Sequence, residues 1–152
     1  MANIWFTGEF PLAEANAKNA GVMVGHVGIE LLEFGDDWLK GRMPVDVRTF
    51  QPFGVLHGGA SVVLAETLAS WGGLATVDPT KFYCVGMEIN ANHIRPATEG
   101  YVYGVTTAES IGRTTQVWTT RITNEEGKLV CISRMTLAVV ARPQPPAVVY
   151  AE

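Results

Sequence analysis

The sequence predicts an α+β fold in which an antiparallel sheet of five to six strands wraps around one long central helix. Three observations predict it. One stretch, Gly58 to Leu74, has the length and the Ala, Leu and Val content of a long helix. Six other segments read as strands, the last four of them rich in Val, Ile, Thr, Tyr and Trp, the residues that suit a pleated, half-buried surface. The later ones follow one another through short turns, as antiparallel hairpins do.

Taken in order, residues 1–25 form a polar, mixed N-terminal segment with a short helix over Pro11 to Ala20, where Pro11 suits the first turn. Val27–Phe34 and Trp38–Val45 are two strands joined by the turn Gly35-Asp36-Asp37. Residues 46–57 are a loop. The long helix follows, with Gly72-Gly73 marking its expected end. Phe82–Ala91, Gly100–Ser110, Thr114–Asn124 and Lys128–Ala141 are four further strands, the last two joined through Asn124-Glu125-Glu126-Gly127. The domain proper spans 26–142, and the Pro-rich tail over 143–152 is expected to be loose.

Composition narrows the function. The 152 residues make one domain. Hydrophobic residues at 47% exclude a disordered tail protein. Charged residues are 17%, against about 25% in an ordinary soluble domain, which points to a surface partly covered by another subunit. The net charge is −4, with no Lys/Arg cluster, so no nucleic-acid partner is expected. No apolar run is long enough to span a membrane, and Met1 to Trp5 lacks the charged start of a signal peptide, so a cytoplasmic location is expected. Cys84 and Cys131 lack CxxC spacing and read as buried small hydrophobes. His26, His57 and His93 lack ligand spacing, so no metal is expected.

Glu66 is the only charged residue between Arg48 and Asp78. Val62, Val63, Leu64, Ala65, Leu68 and Ala69 surround it, and a helix apolar all round is expected to be buried. A buried carboxylate costs several kcal/mol unless it is satisfied. A structural cap or ion pair is the plainer role, but the mid-helix position and the missing Lys/Arg neighbours favour chemistry. Burial would raise the carboxyl pKa, so donors such as Ser70, four residues on and on the same face, or a water would have to hold it down. At the helix start stands His57-Gly58-Gly59. Free N–H groups there, backed by the helix dipole, stabilise negative charge, and glycine lets a ligand approach the backbone closely. That is oxyanion chemistry if a thioester or ester carbonyl sits at Gly58.

Gly58 and Glu66 are ~12 Å apart along the helix axis at 1.5 Å per residue. One carbonyl cannot meet both groups of the same helix. If both serve one reaction they come from two subunits, with the helices antiparallel across a two-fold axis.

The run Gln51-Pro52-Phe53-Gly54-Val55-Leu56-His57-Gly58-Gly59-Ala60-Ser61, then Leu64-Ala65-Glu66, resembles the hotdog-fold acyl-CoA thioesterases. The resemblance is to the phenylacetate-pathway and 4-hydroxybenzoyl-CoA type, with a glutamate on the central helix. Val85 to Arg95, Gly112-Arg113, Gln116-Val117-Trp118 and Ser133-Arg134 match in order, and the likeness covers roughly residues 20–141. It implies hydrolysis of an acyl-CoA, with aromatic or hydroxyaryl acyl groups leading. Glu66 would be nucleophile or general base, and Gly58 N–H the oxyanion donor. Gln51 would contact the thioester or position water, His57 would orient the substrate or hold the Gln51 loop, and Ser70 would bind the water or the acyl group. His93, Ile94, Arg95 and Pro96, with Ser110, Ile111, Gly112, Arg113, Thr114 and Thr115, and with Gly86, would line the CoA groove. No cofactor is implied beyond the CoA of the substrate, and the assembly would be a homodimer pairing into a homotetramer. The alternatives are a non-catalytic acyl-CoA-binding or sensing module on the same fold, and a hotdog dehydratase or hydratase. Gln51 and Glu66 together argue against the first. The placement of His57 directly before the glycines argues against the second.

Overall fold

A computed structural model describes residues 2–143, so all but the first residue of the expected tail lies outside the described residues. The chain runs α1 (Leu12–Asn19), α2 (Met23–His26), β1 (Glu30–Phe34), β2 (Trp38–Pro44), α3 (Gly58–Ala75), β3 (Phe82–His93), β4 (Tyr101–Ile111), β5 (Thr115–Asn124) and β6 (Leu129–Ala141). The six strands form one sheet in the order β1-β2-β4-β5-β6-β3, antiparallel throughout. The expected α+β architecture is therefore present, with α3 against five of the six strands.

Local chemistry sets the corners. Gly35 N–H donates to Trp38 O at 3.0 Å to close the first hairpin. At the β5–β6 turn Asn124 Oδ1 accepts from the N–H groups of Glu126 and Lys128, and Gly127 adopts φ +76°, open to glycine at no steric cost.

The core lies between the concave face of the sheet and α3. Leu64 and Leu68 of the helix share one buried cluster with Leu39, Met43, Val102, Trp118, Ile122 and Leu137. Gly41 and Gly104 are register partners on β2 and β4, and a Cβ on Gly104 would stand 2.7 Å from Leu68 Cδ1. That glycine pair is the trough in which Leu68 sits. The N-terminal segment adds Trp5 and Phe10, whose rings meet edge to face at 5.4 Å.

Three readings of the sequence change. The first strand is shorter than expected because Met23–His26 forms a single helical turn, too brief for any periodicity to reveal. Gly72-Gly73 does not end the helix, which continues to Ala75. Both glycines are buried and lie under large side chains. A Cβ on Gly72 would be 2.9 Å from Trp118 Cζ3, and one on Gly73 would overlap Leu137. They serve close approach, not termination. The contact is locked by polar groups: Trp118 Nε1 donates to Gln116 Oε1 at 2.9 Å, Gln116 Nε2 to Thr76 Oγ1 at 2.9 Å, and Thr76 Oγ1 to Gly73 O at 2.8 Å. Overpacking such a contact costs about 1–3 kcal/mol. Gly73→Val is therefore expected to lower Tm by roughly 2–4 °C per kcal/mol lost. An unchanged melting curve would show that the helix has room there.

The third change concerns α3 itself, which is buried on one side only. Ser61, Leu64, Ala65, Leu68, Ala69, Gly72 and Gly73 face the sheet, whereas Glu66 is exposed. The apolar content of the helix implies cover on both sides, but a single chain covers one.

Candidate active site

α3 carries two separate clusters of the residues singled out in the sequence. The first surrounds its N-terminus. His57 is the N-cap, and its Nδ1 accepts from Gly59 N–H at 2.8 Å. Ala60 and Ser61 N–H both turn back to His57 O, at 2.9 and 3.3 Å. Among the described residues no acceptor meets Gly58 N–H. The one donor left open at the positive end of an 18-residue helix is thus the donor the sequence singled out.

The surroundings of Gly58 are built by two loops. Residues 50–56 fold back on themselves through the Phe50–Leu56 bridge. Gln51 N–H donates to Val55 O at 2.9 Å, Gly54 turns at φ +79°, and Gln51 Oε1 accepts from Phe53 N–H. The chain leaving β3 comes down beside it, and His93 lies directly on Gly58. A Cβ at Gly58 would stand 2.8 Å from His93 Nε2. A cavity of about 350 Å³ results, lined by Gln51, Gly58, His93, Ile94, Arg95 and Pro96, with Leu56, Ser61, Ala97 and Val130 completing it. Six residues singled out from the sequence therefore meet in one place. Arg95 stands at its exposed edge, one guanidinium N–H on Leu129 O at 2.9 Å.

The second cluster lies farther along the helix. Glu66 and Ser70 line another cavity of about 350 Å³ with Met23, Val24, Val63, Thr67 and Trp71. It shares no lining residue with the first. Since Glu66 is exposed, the expectation of a carboxylate sealed in the core and held ionised by Ser70 is not met in the single chain. Gly86, expected along the CoA groove, stands near Glu66 in the single chain. It sits at a bulge in β3, where a Cβ would be 2.8 Å from Met135 Cε and 3.3 Å from Glu66 Oε1.

The hairpin Ser110, Ile111, Gly112, Arg113, Thr114 and Thr115 joins neither cluster. It is the exposed β4–β5 turn, closed by Gly112 N–H to Thr115 O at 2.9 Å. Thr115 pairs with Ala138 on β6, whereas Arg95 N–H reaches Val130 O on the same strand. Eight residues of strand put the hairpin roughly 26 Å from the His93–Pro96 segment. These two halves of the expected CoA groove do not meet within one chain.

Trp71 lines the Glu66 cavity, whereas Phe53 is 90% exposed on the loop over 50–56. The sequence reading missed Met23 and Val24, because a four-residue turn carries no pattern. Neither cysteine is an alternative nucleophile. Burial pushes the Cys84 thiol up to about 11 and raises that of Cys131, so both stay protonated near neutral pH. Among the described residues no group of three His, Cys, Asp or Glu is placed to hold a metal. No described helix is long and apolar enough to cross a membrane.

A long helix cupped by a six-stranded antiparallel sheet, with an open N–H at its start and a carboxylate on its free face, defines a hotdog-fold enzyme. The profile of the thioesterase superfamily matches residues 53–131. The chain is 51% identical over 130 residues to the 1,4-dihydroxy-2-naphthoyl-CoA hydrolase of Escherichia coli, covering 85% of this chain and 94% of that one. It is 46% identical over 129 residues to the proofreading thioesterase EntH of Cronobacter turicensis, covering 85% and 93%. The crystal structure of a glutamine-to-alanine variant of a Pseudomonas aeruginosa thioesterase superposes with a TM-score of 0.88 at 46% identity, covering 91% and 99%. The chain belongs to the thioesterase superfamily.

Proposed function

We propose that the protein hydrolyses an aromatic or hydroxyaryl acyl-CoA to the free acid and CoA, at a site shared between two subunits of a homodimer. The observation that carries this reading is the division of α3 into two cavities with no residue in common, one holding the open Gly58 N–H and the other Glu66. The sheet supplies the means of joining them. β1 is a five-residue edge whose Leu31 N–H and C=O are both occupied by the side-chain amide of Asn16, at 2.9 and 2.8 Å. β3 is a twelve-residue edge paired only with β6, and it exposes Val85 and Met87, the latter at 63%. A long bare edge is a template for pairing. Two β3 edges related by a two-fold axis bring the free faces of two α3 helices together, antiparallel, and set Gly58 of one beside Glu66 of the partner subunit.

The thioester carbonyl then accepts from Gly58 N–H, where the helix dipole meets the charge growing on its oxygen. Glu66 of the partner subunit either attacks the carbonyl carbon, expelling CoA as thiolate before water cleaves the anhydride, or takes a proton from an attacking water. Gln51 and His93 face the carbonyl position, and His57 fixes the helix start. The reading needs no metal and no cofactor other than the CoA of the substrate. The Glu66 cavity, walled by Trp71, Met23 and Val24, takes the acyl group. An apolar cavity of about 150 Å³ already holds a benzene ring, so the larger one here suits one or two fused rings. Likeness to the naphthoyl-CoA hydrolase supports the same class. The separation of the Ser110–Thr115 hairpin from Arg95 supports a groove completed by another copy, as in a homotetramer.

Complementation tests the shared site. Glu66→Gln and Gly58→Val chains, each nearly inactive alone, are expected to regain up to about a quarter of wild-type benzoyl-CoA hydrolysis when co-expressed, because half the dimers then hold one intact site. A co-expressed mixture no more active than its parents would place both groups in one chain and sink the reading.

A further inference from the structure

Behind the Glu66 cavity lies another, of about 260 Å³, between the N-terminal segment and the end of α3. Phe6, Leu74 and Val77 form its apolar wall, and Glu14, Lys18 and Arg142 lie at its charged side. Trp71 is the one residue that lines both this cavity and the one holding Glu66 and Ser70. Its indole is not free to swing. Nε1 donates to Asn19 Oδ1 at 3.0 Å, and Asn19, at the end of α1, is 5% exposed. A buried acceptor that loses its donor is costly, so the bond fixes the rotamer of the ring.

We propose that Trp71, held by Asn19, is the partition that closes the acyl pocket, so that the enzyme takes compact acyl groups and excludes long aliphatic ones. The proposal rests on the acyl-CoA reading above and deepens it. With the indole in place, an acyl chain entering beside Glu66 ends at the ring. With the indole gone, the two cavities become continuous, and the additional apolar wall can hold further methylenes. Asn19 touches no substrate. It is a positioning residue that acts through Trp71.

The test measures binding and hydrolysis separately. Non-hydrolysable thioethers, S-benzyl-CoA and S-dodecyl-CoA, are titrated by calorimetry into wild type, Trp71→Ala and Asn19→Leu. Hydrolysis of benzoyl-CoA and dodecanoyl-CoA is followed in parallel. Wild type is expected to favour the benzyl thioether. Trp71→Ala is expected to shift the affinity ratio towards the dodecyl thioether by about 10-fold or more, within the range that a few methylenes give in an apolar pocket. Asn19→Leu keeps the size of the side chain and removes the acceptor. It is expected to shift the ratio the same way, by about 3-fold. A purely structural role for Asn19 would weaken both thioethers alike and leave the ratio in place. A ratio in Trp71→Ala within about twofold of wild type overturns the partition and leaves the hydrolytic reading standing. A shifted ratio in proteins that release no thiol from either ester overturns the hydrolytic reading and leaves the partition standing.

Discussion

The Glu66→Gln protein is expected to release CoA from benzoyl-CoA about 10³-fold more slowly than wild type, at an unchanged Tm. The substitution keeps the shape of the side chain and removes its charge. An amide neither attacks a thioester nor takes a proton from water at neutral pH, so the loss falls on kcat. Stability is expected to hold because Glu66 is exposed on the single chain and joins none of the ion pairs among the described residues. Thiol release and a thermal melt on the same preparation check both halves. Activity within tenfold of wild type would mean that the reacting group is elsewhere. Slow turnover with a fallen Tm would return Glu66 to a structural role.

Gly58→Val is expected to lower kcat/KM by about 10²–10³-fold, the usual cost of an oxyanion donor. The backbone N–H survives the change, so the effect comes through geometry. His93 occupies the space that any side chain at this position needs, with Nε2, Cε1 and Cδ2 at 2.8, 3.0 and 3.2 Å from a Cβ. Either the ring leaves or the first turn of α3 tilts, and both misplace the N–H from the carbonyl. Circular dichroism confirms that the variant folds, and steady-state kinetics reads the loss. A kcat/KM within about threefold of wild type would show that the carbonyl does not sit at this helix end.

The sheet, its six strands and the central helix were legible because each element carries its own periodicity or turn chemistry. The cluster around Gly58 was legible because Gln51, Gly58 and His93 to Pro96 bracket recognisable segments, and the fold brings those segments together. Gly72-Gly73 misled because a glycine pair signals a helix end locally and a tight helix–sheet contact globally; only the positions of Trp118 and Leu137 distinguish the two. The exposure of Glu66 was hidden for a related reason. Apolar neighbours report that a face will be covered, not by which molecule. The split of the Ser110–Thr115 hairpin from Arg95 is a matter of distance along β6, which no motif records. Met23 and Val24 gave no signal at all, being brought beside Glu66 by one helical turn.

The two margins of the sheet are unlike, and the difference limits how the molecule can polymerise. Stacking copies head to tail would require a β3 of one to dock on the β1 of the next, giving an endless ribbon. The amide of Asn16 already occupies the backbone groups of Leu31 that such docking needs. In the proposed dimer, β3 against β3 would leave only the two β1 margins, each with its Leu31 backbone groups already occupied. One asparagine side chain would thus limit edge pairing in that dimer to a closed, two-fold step.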